Sequence, residues 1–333
     1  MSNQREEEQS IEDGALPVEM DKTREVLDVS IIIVSWNVRD QLWNCLESIR
    51  KSVSGIRYEV IIADNNSSDG SAEMIKEKYP EAILIVNREN IGYGGANNQG
   101  IAVAKGKYVL ILNPDTLLLR GTIEKMCRFL EENPRVAACG PLIVDSNYKP
   151  FSPMIYDPTM WELFGKDTFL RKVSPRLSSP RYPLPKKRRK VERLSGCCFL
   201  SRKEALKKAG LFDERIFLFY EEADLFFRLR RKGWSIYYLP ELSIVHLHGK
   251  SVSHLSRVQV ELFTRESSLI YFCNRYGLVR SVLLALFLTL SYLLNTVVLE
   301  IFFILSHKET YREKRMFYDS LLKLTGKSLL GHK

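Results

Sequence analysis

The sequence is poor in cysteine, and its cysteines form no metal-binding pattern. Six occur in 333 residues, with no CxxC pair and no Cys/His spacing typical of a zinc site. Most of them lie in apolar stretches, which favours reduced core thiols in a cytosolic protein. The sequence also contains no internal repeat. These absences leave a globular chain that is long enough to bury a full core in one main domain.

The first 28 residues lack the apolar stretch that follows a basic start in signal peptides. They hold nine acidic residues against three basic ones, few strong apolar groups and no periodicity. We therefore expect residues 1–27 to form a disordered acidic leader. Because the whole chain carries a formal charge of +9, the rest is more basic than the total suggests. Such a surface suits nucleic acid, anionic lipid or a diphosphate.

No glycine fingerprint follows the first predicted strand. Val29–Ser35 is a continuous apolar, β-branched run, as in a buried parallel strand. A dinucleotide-binding fold would place GxGxxG directly after it, and a nucleotidyltransferase would place a glycine-rich turn with a basic residue there. Ser35, Trp36 and Asn37 occupy that position instead. Asn37 is predicted to cap the helix that follows.

Strands and helices then alternate along the chain. Further strands are predicted at Tyr58–Ala63, Ala82–Val86 and Tyr108–Leu112, with one helix ending near Tyr79 and another at 96–104. This alternation predicts an α/β fold with a parallel sheet, whose ligands bind at the carboxyl ends of the strands. The polar segments at those ends are Asp64, Asn90–Gly95 and Asp115.

Residues 150–190 interrupt this alternation. They contain seven of the thirteen prolines and end in the basic run Lys186–Lys190. We expect a long loop here, whose basic run is either solvated or contacts the phosphates of lipid or of an acceptor diphosphate. Order resumes at Val191–Ser201, followed by a predicted helix from Lys203 and a predicted strand near Trp234–Leu239, and the chain after His246 is predicted to be helical.

The turn Asp64–Ser71 allows two interpretations. It fits a plain turn that caps the next helix. Alternatively, the Asp64 carboxylate, which only accepts hydrogen bonds, contacts the ring N–H of a pyrimidine base. Ser35, Asn37 and Asn66 lie at the same predicted edge and are further candidates for binding a nucleotide donor.

The segment Asn90–Asn98 (NIGYGGANN) opens a predicted helix. Glycines at a helix start let the backbone come close to a ligand, and the exposed N–H groups there suit a phosphate. On this hypothesis Asn90, Gly92, Gly94 and Asn97 bind the donor. A glycine cluster alone fits tight packing between elements equally well, and that alternative stays open.

Asp115 ends the strand segment Leu112-Asn113-Pro114-Asp115, so its charge is expected to face solvent or a ligand. Mg²⁺ or Mn²⁺ binds such a carboxylate together with phosphate oxygens, and would neutralise a departing nucleotide diphosphate. Asn113 adds a weaker contact. His246 and His248 share one face of a strand by alternation, where one of them completes the coordination. A simple turn and a surface pair of histidines are the alternatives.

Glu221, Glu222 and Asp224 place three carboxylates within four residues, which is hard to accommodate in a core. One acid of such a cluster is suited to act as a general base, because neighbouring negative charge raises its pKa. The alternative is favourable charge at a helix N-terminus, with ion pairs to arginines one turn on.

Ser281–Leu299 contains no charge over 19 residues and would be about 28 Å long as a helix. That length just reaches the thickness of a hydrocarbon core. A stripe of small or polar residues along it suits a helix in the membrane interface, or one packed on a partner, equally well. With the basic segment that follows, we expect residues 256–333 to form a helical extension. It associates with the cytoplasmic face of an anionic membrane or makes a homo-oligomer contact.

Together these motifs resemble glycosyltransferase family 2, and within it the rhamnosyltransferase-like branch of bacterial polysaccharide assembly. The resemblance extends over roughly residues 28–255, with the motifs in order and at sensible spacing. The matching segments are Val29–Asn37, Asp64–Ser71, Asn90–Asn98, Leu112–Thr116, Ser195–Arg202, Leu211–Asp213 and Glu221–Trp234.

The resemblance implies a GT-A fold for residues 28–255 and inverting transfer of a sugar, with rhamnose as the best guess. The donor would be a dTDP- or UDP-sugar, and the acceptor a hydroxyl of a glycan or of a polyprenyl-diphosphate-linked sugar. Nucleic acid is then not an expected partner. The competing classes are a nucleotidyltransferase and a membrane-associated protein that binds sugar nucleotides without transferring the sugar.

Carried over by position, Asp64 would contact the base, and Asp115 and His246 would bind the metal. The acidic motif would supply the general base, for which Glu222 is preferred over Glu221. Two positions depart from the family pattern. Glu222 replaces the usual Asp of the acidic motif, and Asn113 stands where other branches carry a first acid.

Overall fold

The computed structural model describes residues 27–151, 155–159, 184–247 and 255–329. The expected acidic leader, most of the proline-rich segment and His248 lie outside these residues. The strands are β1 (Val29–Ser35), β2 (Tyr58–Asp64), β3 (Ile83–Val86), β4 (Tyr108–Leu112), β5 (Thr116–Leu118), β6 (Val136–Val144), β7 (Arg189–Val191), β8 (Cys198–Arg202) and β9 (Ser235–His246). The helices are α1 (Arg39–Ser52), α2 (Ser71–Lys78), α3 (Gly92–Val103), α4 (Thr122–Glu132), α5 (Lys203–Ala209), α6 (Glu221–Arg231), α7 (Arg257–Tyr276), α8 (Leu278–Ser306) and α9 (Glu309–Leu329).

The four predicted strands form the parallel half of one sheet, in the order β3-β2-β1-β4. Their continuous apolar runs are explained by helices on both faces. Along β1, Ile31 and Ile33 pack into a core with α1, α2 and α4, while Ile32 packs into a second core with α3, α5 and α6. The period of two along a strand therefore divides one apolar run between two buried faces.

The other half of the sheet corrects the expectation of parallel pairing throughout. The order continues β4-β8-β6-β9-β5, with β8 antiparallel to β4 and β5 antiparallel to β9. The sequence did not lead us to predict α4, β5 or β6. The β5–β9 pairing sets Thr116 opposite His246, and so brings the end of β9 beside Asp115.

Two helix starts also differ from expectation. Asn37 does not cap α1, whose N-cap is Val38 without a side-chain bond. Asn37 adopts a left-handed backbone with φ of 54°, and its Oδ1 accepts from the Ser68 N–H at 2.7 Å. Helix α3 begins at Gly92, four residues before the predicted 96–104. The glycine segment is therefore part of the helix and does not precede it.

The C-terminal helices pack through α7 on α6, the helix that carries the acidic motif. The α7 residue Asn274 donates to Asp213 and to Asp224, each at 2.9 Å, and so joins α7 to α6. Ser267 donates to the backbone oxygen of Leu218 at 2.8 Å. The predicted helical region is thus helical from Arg257 to Leu329, and it is fixed to the element that carries the acidic motif.

Candidate active site

A cleft of about 400 Å³ opens beyond the carboxyl ends of β1 and β4. Half of the residues singled out from the sequence line it, although they come from separate parts of the chain. They are Asn90, Gly92, Asn113, Asp115, Glu221, Glu222 and His246. The cleft has two polar sides, one around Asp115 and one around the two glutamates, joined by walls that are mostly apolar.

Asp115 and His246 form the first polar side. The His246 Nε2 lies 3.1 Å from the Asp115 Oδ1, and the Asp115 carboxylate is almost fully buried. The contact follows from the pairing of β5 with β9, in which the Leu247 N–H also donates to the Asp115 backbone oxygen at 2.9 Å. A carboxylate and an imidazole are therefore held together at the floor of the cleft.

Glu221 and Glu222 form the second polar side, in the first turn of α6. Contrary to the expectation that these acids avoid the interior, both are buried, with 3% and 8% of their surface exposed. The Glu222 Oε1 accepts from the Arg193 Nη1 at 3.1 Å. Burial first, and then the charge of Glu222, raise the pKa of Glu221 well above its usual range.

Cys197 lies between the two polar sides. Its thiol is buried, and burial raises its pKa to about 12, with smaller contributions from the charges of Asp115 and Glu222. Asp115, Cys197 and Glu222 come from different parts of the chain and line the same cleft. The raised pKa also keeps Cys197 in its thiol form at neutral pH, so it is a poor nucleophile.

Asp224 does not line the cleft. It is fully buried, and its two oxygens accept from Arg228 Nε at 2.7 Å and from Asn274 Nδ2 at 2.9 Å. Arg228 lies one helical turn further along α6, as in the structural alternative considered for the acidic motif. Asp224 therefore anchors α6 to its own helix and to α7, and the candidate acids in the cleft are Glu221 and Glu222.

Three candidate donor-binding residues are buried and do not line the cleft. Ser35 and Asp64 are paired across β1 and β2, and Asn97 lies on α3. Within the described residues, the Ser35 Oγ, Asp64 Oδ2 and Asn97 Oδ1 have no hydrogen-bond partner. Because buried polar atoms are rarely left unpaired, these three atoms point to a polar group that the protein alone does not supply.

The remaining candidates lie elsewhere. Asn37 follows β1 and is hydrogen-bonded to the turn between β2 and α2, and the exposed Asn66 lies in that turn. Neither residue lines the cleft. Gly94 is buried, and a side chain there would meet Phe212 Cβ at 3.2 Å. The packing alternative thus accounts for Gly94.

Three residues that shape the site were not among the candidates from the sequence. Asn65 lines the cleft and joins β2 to the start of α3 by donating to Asn90 and to the Gly92 oxygen. The Tyr93 hydroxyl donates to the Gly196 oxygen at 2.7 Å. Arg193 holds Glu222 and also donates from Nε to the Tyr156 oxygen at 2.7 Å. Asn65 and Tyr93 lie inside two of the motif segments, which do not distinguish them from their neighbours, and a single arginine between motifs has no period or spacing that would identify it.

The model of the family described as glycosyl transferase family 2 matches residues 30–210, which is more than half of the chain. The matched region contains Asp115 and the strands that form the floor of the cleft. The chain belongs to glycosyltransferase family 2. The family predicted from the sequence is therefore confirmed.

Two bacterial proteins are among the curated relatives of this family 2 chain. The chain is 31% identical over 217 residues to the N-acetylglucosaminyl-diphospho-decaprenol L-rhamnosyltransferase of Mycobacterium tuberculosis, covering 59% of this chain and 70% of the relative. It is 34% identical over 110 residues to the minor teichoic acid biosynthesis protein GgaB of Bacillus subtilis, covering 32% of this chain and 12% of that protein.

A solved structure supports the fold of this family 2 member. The crystal structure of GalNAc-T7 with UDP, GalNAc and Mn²⁺ matches with a TM-score of 0.52 at 16% identity, covering 75% of this chain and 51% of that one. At that identity the likeness concerns the fold alone. The predicted GT-A type of α/β fold is thus confirmed.

The residues around Asp115 fit a divalent metal site with few protein ligands. Asp115 offers a carboxylate, His246 an imidazole nitrogen, and the buried Asn113 Oδ1 lacks a hydrogen-bond partner within the described residues. Those same residues contain no group of three His, Cys, Asp or Glu side chains placed to hold a metal. A metal here would take its other ligands from a substrate diphosphate and water, as Mg²⁺ commonly does.

Proposed function

We propose that the protein transfers a sugar, with inversion, from a nucleotide diphosphate to a hydroxyl of a glycan or lipid-linked acceptor in cell-surface polysaccharide synthesis. The observation that carries this proposal is the cleft in which the Asp115–His246 pair lies across from Glu222. One side suits a diphosphate, and the other suits a hydroxyl that must lose its proton.

The donor lies along the carboxyl edge of β1, β2 and β4. The nucleotide base forms hydrogen bonds with the unpartnered oxygens of Asp64 and Ser35. The diphosphate of the donor lies near the start of α3 and Asp115. When bound, Mg²⁺ or Mn²⁺ held by Asp115 and His246 supplies positive charge against the departing diphosphate. The rhamnosyltransferase relative favours rhamnose as the sugar. The family resemblance points to dTDP as its nucleotide carrier, and UDP, the nucleotide of the matched solved structure, is the alternative.

Glu222 is the general base. It takes the proton of the acceptor hydroxyl, whose oxygen forms a bond to the anomeric carbon as the bond to the diphosphate breaks on the opposite face. Arg193 holds the Glu222 carboxylate in place through its Nη1. The raised pKa of Glu221 favours its protonated form, which has no capacity to accept the proton. Direct displacement needs no protein nucleophile.

The acceptor enters along the apolar wall that includes Phe219, which is 40% exposed, and Phe151. The relative from Mycobacterium tuberculosis acts, by its name, on a sugar linked through a diphosphate to decaprenol. An apolar wall beside the glutamates suits an acceptor of that kind, with a sugar hydroxyl at Glu222 and a polyprenyl chain leaving the cleft.

A thermal-shift panel of dTDP- and UDP-sugars, with and without Mn²⁺, tests the donor side. A ligand that binds only the folded state raises the melting temperature. We expect one donor to stabilise the wild type in a Mn²⁺-dependent way, and Asp115→Asn to weaken that binding by on the order of tenfold or more. The matched control is Asp40→Asn at an exposed position of α1, which should bind like the wild type. Equal Mn²⁺-dependent stabilisation of Asp115→Asn would contradict the proposed donor site.

A further inference from the structure

Helix α8 presents a continuous apolar face to solvent. The face runs the whole length of the helix at helical spacing; for example, Leu290 is 68% and Leu294 is 65% exposed. Its members are Val279, Leu283, Leu286, Leu290, Leu293, Leu294, Val297, Val298, Ile301, Ile304 and Leu305. The helix is 29 residues long, and by length and composition it is able to cross a membrane. A face of this size is not left in water without a partner.

The opposite side of α8 is covered by α9, which runs antiparallel along it. Phe302 stacks on Tyr311, with ring centroids 5.5 Å apart, and Tyr292 meets Tyr318 at 5.9 Å. An ion pair joins Glu300 to Arg315 between these two contacts. The N-terminal half of α8 packs on α7 through Leu284 and Leu288. The hairpin therefore has one covered side and one bare apolar side.

This arrangement is incompatible with α8 crossing a bilayer while the hairpin stays intact. The exposed side chains of α9 include Arg312, Lys314 and Lys323, which are distributed along the helix. A spanning α8 would carry them into the hydrocarbon, where charged side chains are strongly disfavoured. A hairpin lying flat places the bare face of α8 among the acyl chains and leaves α9 in the headgroup region.

The charges around the apolar face fit an anionic surface. Arg280 is exposed at one end of the face and Lys308 at the other, and the exposed cations of α9 lie beside it. Basic side chains at the edge of an apolar face are attracted by anionic headgroups. We propose that the α8–α9 hairpin anchors the protein in the plane of an anionic phospholipid surface. This inference does not depend on the chemistry proposed for the cleft.

The first test is flotation of the full chain with vesicles. We expect the protein to bind vesicles of phosphatidylcholine with phosphatidylglycerol, and to bind phosphatidylcholine alone less well. The variant Val297→Glu/Val298→Glu charges the bare face and should reduce binding at least about tenfold. Both valines are exposed, at 56% and 40%, so the fold does not depend on them.

The matched control is Val86→Glu/Val103→Glu. These valines are exposed to a similar extent, at 52% and 44%, but lie on β3 and α3, far along the chain from the hairpin. The control should float like the wild type, and both variants should keep the wild-type melting temperature. Undiminished flotation of Val297→Glu/Val298→Glu would overturn the proposal. So would a dimer of the wild type without vesicles that becomes a monomer in this variant, because a second copy would then cover the face.

The second test separates a flat helix from a spanning one. Tryptophan is placed in turn at Val279, Leu290 and Ile301, three exposed positions of α8, which has no native tryptophan. Quenching by lipids brominated at different depths is then measured relative to the parent chain. A flat helix gives the same depth for all three positions. A deep middle position with two shallow ends would show a spanning helix and overturn the proposal.

Discussion

Two adjacent glutamates share the cleft wall, yet their surroundings differ. Glu222 forms an ion pair with Arg193. The pKa of Glu221 is raised by burial and by the charge of Glu222. The family motif predicted that an acid here would be functional, and position alone could not divide the roles. The division depends on Arg193, which comes from a loop 29 residues earlier and has no sequence signal of its own.

Glu221→Gln should stabilise the protein in a pH-dependent way. The folded-state pKa of Glu221 lies above the ordinary value of 4.5, so the folded chain holds this proton more tightly than the unfolded chain does. The free energy of unfolding therefore falls as the pH rises from about 4.5 towards the folded-state pKa. Glutamine is neutral at every pH and removes this loss.

Urea unfolding of Glu221→Gln at several pH values measures this effect. The variant should match the wild type near about pH 4 and exceed it at about pH 7.5. Glu132→Gln, at an exposed position of α4, is the control and should stay within about 0.5 kcal/mol throughout. A stabilisation of Glu221→Gln that grew towards acid pH would have the wrong sign.

Arg193→Lys should slow sugar transfer while leaving donor binding unchanged. Arginine binds the Tyr156 oxygen through Nε and Glu222 through Nη1, and a lysine can maintain only one of these contacts. We expect kcat to fall about 10- to 100-fold because Glu222 is no longer held in position, with little change in the KM for the donor. Arg188→Lys, in an exposed pair with Glu241, is the control for the same change. A higher donor KM with kcat intact would place Arg193 in donor binding instead.

At the scale of elements, the parallel half of the sheet could be predicted because its signals are local. Each of β1 to β4 is an apolar run bounded by turn residues. The mixed half, in which β6 pairs with β9 in parallel but β8 and β5 pair antiparallel, could not be predicted in this way. Its strand β5 has only three residues and pairs with a strand more than 120 positions later. That pairing brings His246 to Asp115. Both residues were candidates from their motifs, but the contact between them could not be predicted.

Gly92→Ala tests how tightly the start of α3 is held in the cleft wall. Gly92 has φ of +82°, and an added Cβ would lie 2.9 Å from the Phe217 backbone oxygen. A left-handed backbone costs alanine about 1–2 kcal/mol, and the clash adds about 1–3 kcal/mol. The variant should unfold at lower urea concentration and bind the donor more weakly.

Gly55→Ala is the control for Gly92→Ala. Gly55 has φ of +73°, but an added Cβ would meet nothing within 4 Å. It should lose only the backbone contribution of about 1–2 kcal/mol and bind the donor normally. Equal losses in the two variants would mean that Phe217 moves aside, and that α3 is not fixed by this contact.

At the scale of the whole molecule, the cleft and the proposed membrane face share one packed cluster. Ala223 on α6, next to Glu222, packs in the same apolar group as Tyr271 and Phe272 on α7 and Leu284 on α8. An acceptor anchored in the lipid would thus reach the two glutamates close to the membrane, with one layer of helix between the cleft and the lipid surface. Composition predicted an apolar helix, but its length alone could not decide between spanning and lying flat. The packing of α9 favours the flat arrangement.

The most direct test of the proposed function is single-turnover sugar transfer by Glu222→Gln, with Glu221→Gln measured beside it. We expect Glu222→Gln to bind the donor with Mn²⁺ like the wild type but to transfer its sugar about 10²- to 10⁴-fold more slowly. Glu221→Gln should keep most of the rate. Near-normal transfer by Glu222→Gln would contradict the proposed mechanism, because the Glu222 carboxylate would then have no part in the chemistry.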